Sequence, residues 1–149
     1  MFRLIIALLV VAFAAASCPV GTVTKFILWD SVVDKPLFEI KDQQIICSNV
    51  TSYNIEAVVD SCTVGSVGSV SMSIVTFKGT NQATAVEKRG SYFLFGDFKG
   101  EIGGSGEPLP LKRFTLSATP YSAKGGNGQA GTGKSINFKV SCKAPRLRN

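Results

Sequence analysis

The sequence predicts an all-β protein, an antiparallel β-sandwich of the immunoglobulin-like or jelly-roll type stapled by disulfides. Short apolar segments with period-two alternation recur at intervals of roughly 8 to 15 residues, Gly, Pro, Asn and Asp separate them, and no stretch sustains a helical period with caps. The clearest pair closes the chain. Phe114, Leu116 and Ala118 fall on one face of a strand over 114–119, and Ile136, Phe138 and Val140 on one face of a strand over 136–140. The link between them is too rich in Gly, Asn, Ser and Lys for either helix or sheet, so the pair reads as a half-buried hairpin.

Met1 to Ser17 has the layout of a secretory signal peptide: Arg3, an apolar run from Leu4 to Ala14, then small residues with cleavage expected after Ala16 or Ser17. The run falls short of the about 20 residues of a membrane span, and no second span follows. A lipoprotein reading, with Cys18 acylated, is disfavoured by Ala15 where Leu, Val or Ile is expected and by the odd number of cysteines it leaves. The expected organisation is a signal peptide over 1–17, a single domain over 18–142 and a basic tail over 143–149 holding Lys143, Arg146 and Arg148. The net charge of the whole chain is +6, and the charges outside the tail are scattered along strands and loops, which fits solubility and weak attraction to anionic surfaces.

Between leader and hairpin the pattern is β throughout. A strand over Val23 to Asp30 is followed by a turn to Pro36, which cannot donate within a central strand. Short strand candidates at 37–40 and 44–47 flank Lys41-Asp42-Gln43, and another strand covers 53–59. In the strand from Val70 to Phe77, Val70, Met72, Ile74 and Thr76 oppose Ser71, Ser73, Val75 and Phe77. Val86 to Gly90 reads as an exposed strand end or turn, Ser91 to Phe95 as a buried segment, and Glu101 to Pro110 as a long loop.

The four cysteines, Cys18, Cys47, Cys62 and Cys142, are expected to form two disulfides in an oxidising compartment. Metal binding by them is disfavoured, because there is no Cys-x-x-Cys pair and no histidine. Three connectivities are open; the expectation leans to Cys18 with Cys142 and Cys47 with Cys62. Asn49-Val50-Thr51 makes Asn49 the glycosylation candidate of a eukaryotic secretory pathway. Gly128 to Ser135 satisfies the phosphate-loop spacing, yet a polar stretch precedes it and a strand pattern follows, where phosphate binding requires a strand and then a helix. Nucleotide binding is therefore not expected.

Gly68-Ser69-Val70, then Ser91-Tyr92-Phe93-Leu94-Phe95-Gly96-Asp97, then Leu116 to Ser122 with Ile136 to Val140 occur in an order that resembles a β-sandwich (Ig-like) module of secreted and surface proteins. That module carries a Pro-Tyr-Ala-Leu-Phe-Gly-Asp turn and a Thr-Leu-Thr-Ala-Thr-Pro-Tyr-Ser hairpin ending in Thr-Ile-Asn-Phe-Thr-Val. The resemblance covers about residues 64–140 and aligns the glycines between 125 and 133 with a Gly-Ser-Gly-Thr-Ala-Gly-Thr loop. It implies extracellular adhesion or accessory binding and supplies no catalytic residues. Phe98, Lys99 and Ile102 depart from the family's acidic and aromatic residues after the Gly-Asp turn.

The absence of histidine removes the usual base of serine and cysteine hydrolases. Asp97 and Glu101 form a carboxylate pair in one loop, a spacing commoner for solvated turn residues than for a glycosidase. Asp30, Asp34, Asp97 and Glu101 are weak candidates for calcium, which takes oxygen ligands from loops, and Tyr92, Phe98 and Tyr121 are candidates for stacking on a ligand. The expected function is a secreted, non-enzymatic extracellular structural or adhesion role, with a lectin-like or calcium-assisted accessory module as the alternative. No cofactor, nucleic acid or membrane span is expected; the partner is an extracellular glycan or a surface or matrix protein.

Overall fold

A computed structural model of the chain describes residues 20–47, 51–61, 66–87, 91–97 and 106–141. Its nine strands are β1 (Gly21–Asp30), β2 (Lys35–Ile40), β3 (Gln44–Ile46), β4 (Tyr53–Ser61), β5 (Ser69–Thr76), β6 (Asn81–Glu87), β7 (Tyr92–Phe93), β8 (Arg113–Tyr121) and β9 (Lys134–Val140), with no helix among the described residues. They form a four-stranded sheet in the order β2-β1-β4-β7 and a five-stranded sheet in the order β3-β9-β8-β5-β6. The arrangement is compatible with a β-sandwich. One apolar core joins the two sheets: Phe26, Leu28 and Ile55 from the first meet Met72, Ile74, Leu116 and Phe138 from the second.

Alternation produces this core directly, because a period of two sends every second side chain inward. On β5 the inward residues Val70, Met72, Ile74 and Thr76 are buried, and on β8 and β9 so are Phe114, Leu116, Ala118, Ile136, Phe138 and Val140. Phe114 and Phe138 stand opposite each other in the antiparallel register, their rings stacked at 5.4 Å. The closing hairpin is therefore as the sequence reads it.

Two strands differ from expectation. β3 pairs with β9 in parallel, Gln44 opposite Phe138 and Ile46 opposite Val140, so the second sheet is mixed and not purely antiparallel. The cause is a change of sheet at Lys41–Gln43. Gln43 takes a left-handed φ of 60° and donates its N–H to the Asn137 carbonyl at 2.6 Å, while the Asp42 carboxylate accepts the Asn137 N–H at 2.7 Å. The chain thus leaves β1's sheet and comes down along the open edge of β9. The other difference is β6, which begins at Asn81 where the sequence reads a strand end only from Val86. Its inward residues are Ala83 and Ala85, half-buried side chains that give periodicity little contrast.

Asn54 is a fully buried polar residue of β4, and both ends of its amide are hydrogen-bonded. Its oxygen accepts the N–H groups of Ile55 at 2.9 Å and Phe95 at 3.0 Å, and its nitrogen donates to the Gly96 carbonyl at 2.9 Å. The turn that buries Phe93 and Leu94 is thereby fastened to β4. Trp29 closes the other side of that turn: its ring meets Phe93 edge-on at 5.4 Å and its Nε1 donates to Glu56 at 3.0 Å. Asn54→Ala leaves the Phe95 N–H and the Gly96 carbonyl without this partner, so urea denaturation should show a loss on the order of 3 kcal/mol, against less than about 1 kcal/mol for the exposed control Thr24→Ala.

Candidate ligand-binding face

The loop with phosphate-loop spacing is a continuation of the hairpin. Beyond β8 and before β9, Ser122 N–H bonds the Gln129 carbonyl at 2.9 Å, Gly131 N–H bonds the Pro120 carbonyl at 2.8 Å, and the Gln129 N–H bonds the Ser122 hydroxyl at 2.9 Å. Ser69 reaches in from β5, its hydroxyl donating to the Ala123 carbonyl at 2.6 Å and accepting the Gly126 N–H at 3.0 Å. Gly125, Gly126 and Gly128 all have positive φ, which is why this tip is made of glycine. The amides of Ser122, Gly126, Gln129 and Gly131 are therefore committed to the protein's own oxygens. Lys134 opens a strand and not a helix, and its ammonium donates to the Thr24 carbonyl of β1 at 2.6 Å. Next to it Thr132 exchanges hydrogen bonds with β1, accepting from Val23 N–H and donating to the Gly21 carbonyl, both at 2.9 Å.

The residues singled out by sequence are dispersed. Asp30 caps its own turn, its carboxylate accepting the N–H groups of Val32 at 2.9 Å and Val33 at 3.3 Å. Asp34 occupies a left-handed position in that turn, with φ of 53°. Among the described residues, no group of three or more His, Cys, Asp or Glu side chains could hold a metal ion. Tyr92 packs against the core and is half-buried, and that desolvation raises its phenol above the ordinary value of 10.0. Tyr121 ends β8 opposite Ser69 and bridges to Ala130, far along the hairpin from Tyr92's sheet. Phe98, Glu101, Asn49, Cys18, Cys62, Cys142 and the leader lie outside the described residues; Cys47 is exposed after β3.

What the fold does assemble is a groove on the outer face of the five-stranded sheet. Its volume is about 350 Å³, and its rim is a single row across β3, β9 and β8 to the residue that follows β5: Ile45, Lys139, Arg113 and Phe77. Register makes the row, since Lys139 stands opposite both Ile45 and Arg113, and Phe77 N–H bonds the Arg113 carbonyl at 2.9 Å. Phe77 is 76% exposed and Ile45 66%, leaving two apolar platforms with two cations between them. Gln43 and Asn137 supply amides beside the row. With strands about 4.8 Å apart the row is roughly 14 Å long. No carboxylate lines the groove among the described residues; the adjacent Asp42 is bonded to Asn137 N–H and, at 3.5 Å, to the Gln43 amide.

Arg113 opposite Lys139 is an unfavourable cross-strand pair in isolation, because like charges facing each other across a ladder repel. An anion between them removes that repulsion. Phe77 is absent from the stacking candidates chosen by residue type, yet its parity with Ser71 and Ser73 marks it as outward. No family model, curated protein or solved structure matches the chain.

A methyl group at residue 131 would collide with the Gly21 carbonyl and meet the Pro120 ring at 3.0 Å. Gly131→Ala should therefore separate β1 from the loop and cost about 1–3 kcal/mol in urea denaturation, whereas Gly79→Ala, which meets no atom within 4 Å, keeps its packing and suffers only the strain of its positive φ. Raising the pH should uncover Tyr92. A phenol whose folded pKa lies above its unfolded one stabilises the fold fully below the unfolded value and loses that contribution as pH rises through the folded value. Thermal unfolding should thus show a melting temperature that falls above about pH 10, with a shallower fall in Tyr92→Phe.

Proposed function

We propose that the protein is an exported, non-enzymatic β-sandwich of the Ig-like or jelly-roll type, stapled by disulfides, that binds acidic polysaccharide outside the cell. The observation that carries this reading is the row Ile45, Lys139, Arg113, Phe77. Sugar rings have apolar faces that lie against aromatic or aliphatic side chains, and sulfate or carboxylate groups suit a paired guanidinium and ammonium. The leader over 1–17, the acceptor triplet at Asn49 and the resemblance to modules of secreted proteins support the extracellular setting. Binding is electrostatic in part, so it weakens with salt.

A second, structural reading has one observation in its favour. Val32, Val33, Leu37 and Phe38 are exposed along the turn before β2 and on β2, the edge of its sheet, an apolar border suited to self-association in a matrix or coat.

Titration calorimetry of the mature protein with a sulfated glycosaminoglycan oligosaccharide and with a neutral oligosaccharide of the same length separates these readings. Acidic binding is expected, weakened at least about ten-fold, or 1.4 kcal/mol, by Arg113→Ala with Lys139→Ala, and also weakened by Phe77→Ala. Equal heats for the neutral sugar, or an affinity unmoved by the double substitution, would remove the groove from the function. Concentration-dependent light scattering without glycan binding would favour the structural reading.

A further inference from the structure

We infer that Cys18 pairs with Cys62 and Cys47 with Cys142, one disulfide at each end of the two-layered fold. This rests on the export proposed above. Of the four cysteines only Cys47 is among the described residues, but each of the others is tethered by a few bonds to a residue whose neighbours are described.

At one end, Ile46 closes β3 opposite Val140, the last residue of β9, and the N–H of Ser141, which follows it, donates to the Ile46 carbonyl at 3.0 Å. Cys47 follows Ile46 and Cys142 follows Ser141. Consecutive Cα atoms are about 3.8 Å apart, so both cysteines are held within a residue of one bonded pair, inside the range where the about 4.4–6.8 Å Cα separation of a disulfide can be met. At the other end, Ser61 closes β4 opposite Gly21 of β1. Cys62 follows Ser61, and Cys18 precedes Gly21 by three residues, a reach of at most about 11 Å.

The bonds between β1 and Thr132 show that these ends are opposite. Gly21 and Val23 are joined to Thr132, just before β9, whereas Ile46 is joined to Val140 at the finish of β9. The seven residues of β9 carry the chain about 20 Å between the two points. Cys18 with Cys142 and Cys47 with Cys62, the pairing to which the sequence leans, would stretch both bonds along the length of the fold. Cys18 with Cys47 and Cys62 with Cys142 would do the same. Only the proposed connectivity keeps each bond at its own end.

Each bond forms by exchange with an oxidised disulfide donor of the export compartment, glutathione disulfide or a thiol–disulfide oxidoreductase. A cysteine thiolate attacks the donor, the second thiolate displaces the mixed disulfide, and the two electrons and two protons lost by the pair leave as two donor thiols.

The test is a disulfide map of the mature full chain secreted by an exporting host, alkylated without reduction, treated with an N-glycosidase, and cut after Lys, Arg and Glu. Glu56 lies between Cys47 and Cys62, so cleavage there separates them into peptides 42–56 and 57–78. The expected products join the peptide ending at Lys25 to 57–78, and 42–56 to 140–143. Any crossed product overturns the pairing and leaves the export reading standing; four alkylated thiols overturn both. In Cys47→Ser, Cys142 should become the alkylated thiol while the Cys18–Cys62 product persists. Alkylation of Cys18 or Cys62 in that variant contradicts the inference.

Discussion

Two backbone hydrogen bonds between β1 and Thr132 decide which ends of the two sheets meet. Apolar packing alone brings sheets face to face without fixing direction, because burial is indifferent to which strand end lies over which. The exchange among Gly21, Val23 and Thr132, with Lys134 donating to the Thr24 carbonyl beside it, supplies that direction. It also explains the glycine-rich composition of the link before β9. Gly131 passes so close to the Gly21 backbone that no side chain fits between them. A sequence shaped like a nucleotide site is here a joint between layers.

Once the ends are fixed, strand register does the rest of the positioning. Inward parity fills the core with Phe26, Leu28, Met72, Ile74, Leu116 and Phe138, and the same parity turns Ile45, Lys139, Arg113 and Phe77 outward in one row. The groove is thus a by-product of alternation at the end of the sheet distant from Thr132. Its two cations are placed by the ladder against their mutual repulsion. Asp42, the carboxylate adjacent to this row, is spent on anchoring β3 to β9 through the Asn137 N–H.

The sequence made most of this legible where alternation had contrast. The strands read over 114–119, 136–140 and Val70 to Phe77 have apolar and polar faces that differ sharply, and they are found as Arg113–Tyr121, Lys134–Val140 and Ser69–Thr76. β6 was obscured because alanines carry its inward face. The parallel seat of β3 could not be read locally at all, since its partner is distant in the chain and its crossing depends on a left-handed Gln43. Aromatic residue type says less about exposure than strand parity does. Tyr92 packs on the core, while Phe77, on the same parity as Ser71 and Ser73, faces solvent.

The seat of β3 also bears on the order in which the chain folds. β3 lies near the start of the domain and pairs only with β9, the last strand described. An early segment must therefore wait for a late one before the mixed sheet acquires that edge, and pairings of such sequence separation are slow because the loop must close before any contact repays it. A polypeptide built this way stays unfinished at that edge until its last strand has left the ribosome.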